Sequence, residues 1–578
     1  MKIGAGIFER TTLSSNVRCV LLASATALVG QQAFAQSSTT PLAPLSFKTN
    51  YFGYSAGVSP RVGYSDNIQL APDGLGDDQF FVSNVFTANA IYSTRRFTGL
   101  FSGDLDLTYF TGDRGRNFAG VDDAGNPVFQ DPSNFAVNQN VGGIGTFTVA
   151  EDLAYLDVSG SSTRQLIGDN ARFSQNQNAA RNQRANVNTV SISPYLAREF
   201  SNTSEAEIRY KFSKVFIDEN QDSQFNNFLN DSQSQEVWLT YNTGDSIDRL
   251  TLGFTAYGNE TEEDGSIIAP AFDFQQGTLI GTAEYAVTER FALTGAVGYD
   301  DIESDAPEEF IPDDELTGVF WRGGFRARPG RKTDLRIEYG ERYGDDFING
   351  RLTYDISRRM LFRADASREF QTRAQAVSTR IDSLGRRTLR FAERLREGEA
   401  LSPDALVATA SRVNNSIDAQ TIGLGVSNRV SASLLAQLDR TSLTAVLGYD
   451  DTDFGFRAIE TFTGNIQAQH RLSRKTSAYG DLFYRFADTS VDVNQCIAEP
   501  GLFGLDVAFP GFDPQVACTN FANQRGETNT IGGRIGLQYQ IYRNVSAFGE
   551  YSYTNRFSPE PQLEYSENAI SAGLTLSF

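Results

Sequence analysis

The feature that most constrains this chain is a two-residue period that recurs along most of its length and is clearest at its end. Ile535, Leu537, Tyr539 and Ile541 alternate with Arg534, Gly536, Gln538 and Gln540. The chain turns at Tyr542-Arg543-Asn544, and Val545, Ala547, Tyr551 and Tyr553 then alternate with Ser546, Glu550, Ser552 and Thr554. A last run carries Ile570, Ala572, Leu574, Leu576 and the terminal Phe578. One apolar face and one polar or small face define a strand set between two different solvents. The stretch Phe97 to Tyr109 shows what the second solvent is. Phe97, Phe101, Leu105, Leu107 and Tyr109 share one face, and Thr98, Ser102, Asp104, Asp106 and Thr108 the other. Burying those two carboxylates in a dry core costs several kcal/mol each unless they are paired, whereas a wet interior accepts them cheaply.

Composition narrows the choice. Residues 1–35 read as a secretory signal: Lys2, Arg10 and Arg18 precede a short apolar core from Cys19 to Val29, and Ala33-Phe34-Ala35 is a small-residue cleavage site before Gln36. That core is too short to span a bilayer as a stable helix. The segment carries a net charge of +2, so its removal takes the formal charge from −21 to −23. The remaining chain offers no apolar run long enough for a membrane helix, which excludes a helical membrane protein but not a barrel, whose strands need only alternate residues to be apolar. The abundance of Tyr and Phe (23 and 43 residues) suits barrel exteriors and interfacial girdles. A strand that ends the chain on Phe578 resembles the C-terminal assembly signal of bacterial outer-membrane β-barrels. The competing reading is the edge of an acidic soluble β-sandwich.

Connections supply the architecture. Short ones fall at Arg95-Arg96, Glu151-Asp152, Ser201-Asn202, Gly244-Asp245, Glu289-Arg290, Pro329-Gly330-Arg331, Arg358-Arg359, Arg440-Thr441, Arg474-Lys475 and Arg543-Asn544. Mostly longer, polar ones lie between them. Short turns on one side and long loops on the other predict an all-β, transmembrane antiparallel outer-membrane barrel of about 22 strands, with periplasmic turns and extracellular loops. The expected organisation is a signal at 1–35, a flexible Ser/Thr/Pro leader at 36–50 and a barrel over 51–578. The outer loop at 371–417 departs from the rest. Its Ser402-Pro403 reads as a helix N-cap and first turn, so an insert with one or two short helices is expected there, folded into the mouth or lying outside it. Asp300 to Glu315 holds nine carboxylates and no basic residue. It reads as a solvated acidic loop, or as a divalent-cation bridge to lipopolysaccharide. Cys496 and Cys518 lie in one Pro-, Gly- and Phe-rich stretch. In an oxidising compartment they are expected to form a disulfide stapling a loop; a metal site would need more ligands than cluster there.

Several stretches resemble the β-barrel porins of proteobacteria, including outer-membrane proteins that accompany PEP-CTERM/exosortase and exopolysaccharide systems. They are Tyr64-Ser65-Asp66-Asn67-Ile68-Gln69-Leu70-Ala71-Pro72, Ser191-Ile192-Ser193-Pro194-Tyr195-Leu196 running into Ala206 to Ser213, and Tyr542-Arg543-Asn544-Val545-Ser546 followed by Tyr551 to Thr554. The resemblance implies an outer-membrane location and a porin-like role in surface polysaccharide export or assembly. It brings no catalytic residues. Two alternatives stand beside it: a general or nutrient diffusion porin, and a non-conducting structural barrel whose loops bind partners. The expected partners are outer-membrane lipid, lipopolysaccharide, the barrel-assembly machinery and polysaccharide or export components.

Catalytic readings lack parts. His470 is the only histidine, no Gly-x-Ser-x-Gly elbow accompanies it, and no cofactor, metal or phosphate-loop motif is present. An acidic chain is a poor partner for nucleic acid. A TonB-dependent receptor calls for a globular plug of well over a hundred residues before the first strand, whereas strands here begin about fifteen residues after the cleavage site. The one constellation that could carry selectivity lies between Leu316 and Phe370. Where Trp321, Ile337, Tyr339, Leu352, Tyr354 and Phe362 face lipid, alternation turns Arg322, Arg326, Asp334, Arg336, Glu338, Arg351, Asp355, Arg363 and Asp365 inward. Arginines beside acids line a charge-selective pore, or else merely stiffen the wall.

Overall fold

The structure, a computed structural model, describes residues 51–578 apart from 77, 112–116, 122–126, 131–133, 167–171, 175, 177, 180–183, 201–203, 219–230, 245–246, 265–270, 307–310, 312–315, 373–423, 456, 504, 506–511 and 524–525. The signal, the leader and all but the first two residues of the 371–417 insert therefore lie outside the described residues.

The chain is one antiparallel meander. It opens with β1 (Tyr51–Ser65), β2 (Gln79–Ser93) and β3 (Phe97–Phe110), after which β4 (Asn117–Val121) and β5 (Pro127–Gln130) form a separate small hairpin. The wall resumes with β6 (Phe135–Ala150), β7 (Ala154–Leu166), β8 (Arg184–Phe200), β9 (Ser204–Asp218), β10 (Ser232–Asn242), β11 (Leu250–Glu263), β12 (Phe272–Thr288) and β13 (Phe291–Ser304). It continues through β14 (Gly318–Gly330), β15 (Thr333–Arg342), β16 (Asp345–Ser357), β17 (Met360–Thr372), β18 (Leu424–Gln437), β19 (Thr441–Asp453), β20 (Arg457–Arg471) and β21 (Thr476–Val491). Two short helices follow, α1 (Val493–Ala498) and α2 (Pro514–Asn523), and then β22 (Thr528–Tyr542), β23 (Val545–Phe557) and β24 (Tyr565–Ser577).

The wall holds 22 strands, and β1 pairs with β24, so the sheet closes on itself. Closure is a requirement in hydrocarbon, because an open edge leaves backbone donors and acceptors with nothing to bond. The terminal residue takes part: Phe578 N donates to Ala56 O at 2.8 Å, and the Phe578 ring stays exposed on the outer face. Of the ten short turns expected from sequence, the eight that lie within the described residues all fall at one end of the barrel; those at Ser201-Asn202 and Gly244-Asp245 reach outside the described residues.

Alternation sorts the two faces. Outward stand Phe101, Tyr109, Phe135, Val297, Trp321, Tyr339, Ile535 and Ile570, all exposed. Inward stand Asp104 and Asp106, both buried, where Asp104 accepts from Asn140 Nδ2 at 3.1 Å and Asp106 from Thr108 Oγ1 at 2.9 Å. The two carboxylates are thus held by polar neighbours on the inner wall, as a barrel requires and a sandwich core does not.

Phe578→Ala is expected to lower the yield of assembled barrel without changing the migration of what does assemble, since its backbone bonds survive. Comparing boiled and unboiled membrane fractions by gel shift measures this; an unchanged assembled fraction would remove the terminal ring from any part in insertion.

Candidate functional site

The inner wall is where polar side chains converge, and the strand register decides which of them meet. Gly324 lies opposite Glu338, and Arg326 opposite Arg336. The Glu338 carboxylate, fully buried, accepts from Arg336 Nη2 at 2.7 Å and Nε at 3.0 Å. It lies 3.1 Å from Arg322 Nε as an ion pair rather than an aligned hydrogen bond, and it also accepts from Asn349 Nδ2 at 3.2 Å. Arg326 forks onto Asp334 at 3.0 and 2.6 Å, while Arg328 approaches the same carboxylate at 3.1 Å. Glu284 on β12 ties the halves together, 3.4 Å from Arg326 and 3.7 Å from Arg336. Next along the wall, Arg342 grips Asp300 with two bonds of 2.6 and 2.7 Å, and Thr278 Oγ1 donates to the same carboxylate at 2.7 Å.

Of the nine residues that alternation turns inward, the structure brings Arg322, Arg326, Asp334, Arg336 and Glu338 together. Arg351 and Asp365 form a pair at 2.8 Å that is far more open to water. Asp355 and Arg363 are exposed near the short-turn end. Two members escaped sequence reasoning. Glu284 lies three strands from Asp334, and Asp300, which the sequence places in an acidic outer loop, is the buried inner partner of Arg342. Period two gives the face of a residue but not its height on a tilted wall, so partners on distant strands stay hidden. His470, the lone histidine, lies at the short-turn end, with Nδ1 2.8 Å from Thr441 Oγ1. Among the described residues, no three His, Cys, Asp or Glu side chains are placed to hold a metal ion.

Two outer loops enter the barrel. In the 167–183 loop, Arg172 donates to Leu70 O at 2.7 Å and Gln562 O at 3.1 Å. Phe173 packs edge-on against Phe483 of β21, with ring centroids 4.7 Å apart, and its backbone exchanges bonds of 2.9 and 2.8 Å with the Tyr565 hydroxyl. Ser174 and Asn176 donate to Glu567, which also accepts from Ser65 at 2.7 Å, so the loop is anchored across the seam between first and last strands. Thr108 and Asn138 hold Asn178 from the other side.

The described part of the 492–527 loop packs against the inner wall. Cys496 and Cys518, both fully buried, are joined by a disulfide with Cα atoms 5.7 Å apart, linking α1 to α2. Asp492 caps α1 by accepting from Asn494 N and Gln495 N. The cysteines share one apolar cluster with Phe503, Leu505 and Ala517 of the loop, Phe272 and Phe274 of β12, Phe370 of β17 and Ile459 of β20. Sequence reasoning placed a staple here but expected any inward-folding segment at 371–417. These loops carry too few alternating residues to declare which way they face.

No protein-family model matches the chain, and no curated protein matches it. Solved structures do. The ferric-catecholate import receptor Fiu of E. coli K12 is 9% identical, with a TM-score of 0.45, over 93% of this chain and 82% of that one. The siderophore receptor PirA of Acinetobacter baumannii is 10% identical, with a TM-score of 0.46, over 93% and 81%. The copper transporter OprC is 12% identical, with a TM-score of 0.37, over 93% and 83%. At such identity the likeness is one of fold. The closed wall, apolar outside and polar within, makes this a β-barrel protein of the cell outer membrane.

The expected role is corrected. The sequence suggested a porin-like barrel for surface polysaccharide export, a diffusion porin or a structural barrel. The two porin readings are set aside, because packed loops occupy the outer part of the lumen that an open pore would keep clear.

Glu338→Ala strips two buried guanidiniums of their shared counter-charge and is expected to destabilise the barrel by about 3–5 kcal/mol. Asp365→Ala, in a pair largely open to water, should cost at most about 1 kcal/mol. Urea unfolding in detergent micelles compares them; equal costs would refute the division into a packed cluster and a solvated pair.

Proposed function

We propose that this barrel is a gated uptake receptor of the outer membrane, capturing a charged nutrient at its outer mouth and admitting it to a polar lumen. The observation that carries this reading is the apolar cluster uniting the disulfide-linked loop with Phe274, Phe370 and Ile459 on well-separated strands. A loop merely shading a pore has no need of a buried core of its own. One that joins the core of the wall has a closed state of definite structure, and a closed state is what a gate requires. The inner wall beneath it presents guanidiniums and carboxylates, a lining that favours charged over apolar solutes. Ferric siderophores and copper, the cargoes named for the similar solved barrels, are the natural first probes. Residues 1–35 are read as the removed export signal, so mature protein should begin at Gln36; Edman sequencing of the outer-membrane form checks this, and retention of Met1 would refute it.

In planar bilayers the intact protein is expected to conduct little, and Cys496→Ser/Cys518→Ser, by freeing α1 from α2, to raise conductance or the frequency of opening. Saturable binding of a ferric catecholate or cupric ion to the intact protein, followed by Trp fluorescence, would support capture. Steady porin-sized conductance in the intact protein, with no binding of either probe, would overturn the reading.

A further inference from the structure

The two rims of the barrel differ in charge. At the outer end acids gather at the strand tips, among them Asp301 and Glu303 of β13, Asp451 and Asp453 of β19 and Glu460 of β20. The periplasmic turns reverse this along one arc, from the β12–β13 turn round to the β22–β23 turn. Three turns of the arc hold a basic pair: Arg331-Lys332, Arg358-Arg359 and Arg474-Lys475. Arg290, Arg440 and Arg543 add one basic residue each, and the acids in these six turns are Glu289 and Asp439 alone. So strong a local excess stands out in a chain whose formal charge is −21.

These cations are not spent on the protein itself. All nine are exposed, and among the described residues Arg359 is the one member held in an ion pair, with Asp439. The opposite arc is built differently. There Arg95 donates to Glu151 at 2.8 Å, and the turn that supplies Glu151 also holds Asp152, so two acids offset Arg95 and Arg96.

The height of the charges indicates what they meet. Tyr285, Tyr354 and Tyr539 stand exposed on the outer face, each three residues before the end of its strand, β12, β16 or β22. Outward tyrosines mark the level where hydrocarbon gives way to head groups. Arg290, Arg358 and Arg543 follow four or five residues later. On a tilted strand that places them about 10 Å farther toward the periplasm, level with lipid phosphates. Apolar side chains share the same turns: Leu438, Leu472 and Tyr542 are exposed beside Arg440, Arg474 and Arg543. A face turned only to bulk water gains nothing from leucines among its cations, whereas the edge of a bilayer accommodates both.

We infer that this arc of the periplasmic rim binds the phosphate head groups of inner-leaflet phospholipids and gathers acidic lipids there in preference to zwitterionic ones. Any phospholipid offers phosphate oxygens to a guanidinium. In a zwitterionic head group, however, the ammonium repels the next cation in the row, and an acidic head group carries no such ammonium. Cations placed in pairs on neighbouring turns therefore select for net negative charge. The inference concerns the periplasmic rim and stands apart from capture and gating at the outer mouth.

The full-length protein, reconstituted in phosphatidylcholine bilayers, would be tested with spin-labelled phosphatidylglycerol and spin-labelled phosphatidylcholine, the motionally restricted fraction of each giving its relative affinity for the barrel. Phosphatidylglycerol is expected to be preferred severalfold, and the preference to shrink as salt is raised. Arg474→Gln/Lys475→Gln should lower it clearly. Arg95→Gln/Arg96→Gln, which removes the same charge from the balanced arc, should leave it unchanged. Heat-shifted migration on gels confirms that each variant has formed its barrel before the lipids are compared. Equal affinity for the two lipids in the intact protein overturns the inference. So does a preference indifferent to salt, or one lowered equally by the two variants, since net charge rather than the arc would then be responsible.

Discussion

Backbone hydrogen bonding in a medium without water is the constraint on which everything else in this molecule rests. Each strand must find partners on both edges, and the only regular solution for strands is a sheet that meets itself. Once β1 lies beside β24, the remaining choices follow. One face of every strand belongs to lipid, the other to the lumen, and charged residues are affordable only on the second. The buried Asp106 and Glu338 and the exposed Ile570 and Val297 are consequences of one geometric fact.

The closed wall then poses a second problem, because a ring of 22 strands encloses more space than its own side chains fill. Two loops from distant parts of the ring occupy its outer end, by different chemistry. The 167–183 loop enters with a guanidinium, hydroxyls and amides and binds to backbone carbonyls and a buried carboxylate. The 492–527 loop enters with rings and a disulfide and makes an apolar core. Polar anchoring gives direction and can be exchanged with water bond for bond; apolar packing excludes water and must move as a body. Gating, on this view, falls to the second loop and the first acts as a brace.

Much of the wall was legible in the sequence. Alternation in Phe97–Tyr109 and in the last three strands fixes both the period and the face, and the basic or polar short turns locate one rim. Faces were readable for Arg322, Arg336 and Glu338 for the same reason. What stayed out of reach is whatever depends on height or on contacts between distant residues. Glu284 and Asp300 join the charged wall because tilted strands bring them level with residues tens of positions later. Phe173 meets Phe483 across the interior, and no local pattern in either segment announces the other. The short Tyr343-Gly344 turn was hidden because mostly long connections were expected on that rim.

The stapled loop has one further property. Its ends, Val491 and Thr528, belong to β21 and β22, which are hydrogen-bonded neighbours with an unbroken register from Thr476↔Tyr539 to Ala487↔Thr528. The whole segment is therefore a cassette set into a hairpin, held shut by its own covalent link 22 residues apart in sequence. A lineage could exchange it wholesale, or an engineer could graft a foreign epitope in its place, while the ladder on either side kept its pairing. The same barrel could thus change what it admits, or what it displays to the outside world, without relearning how to insert.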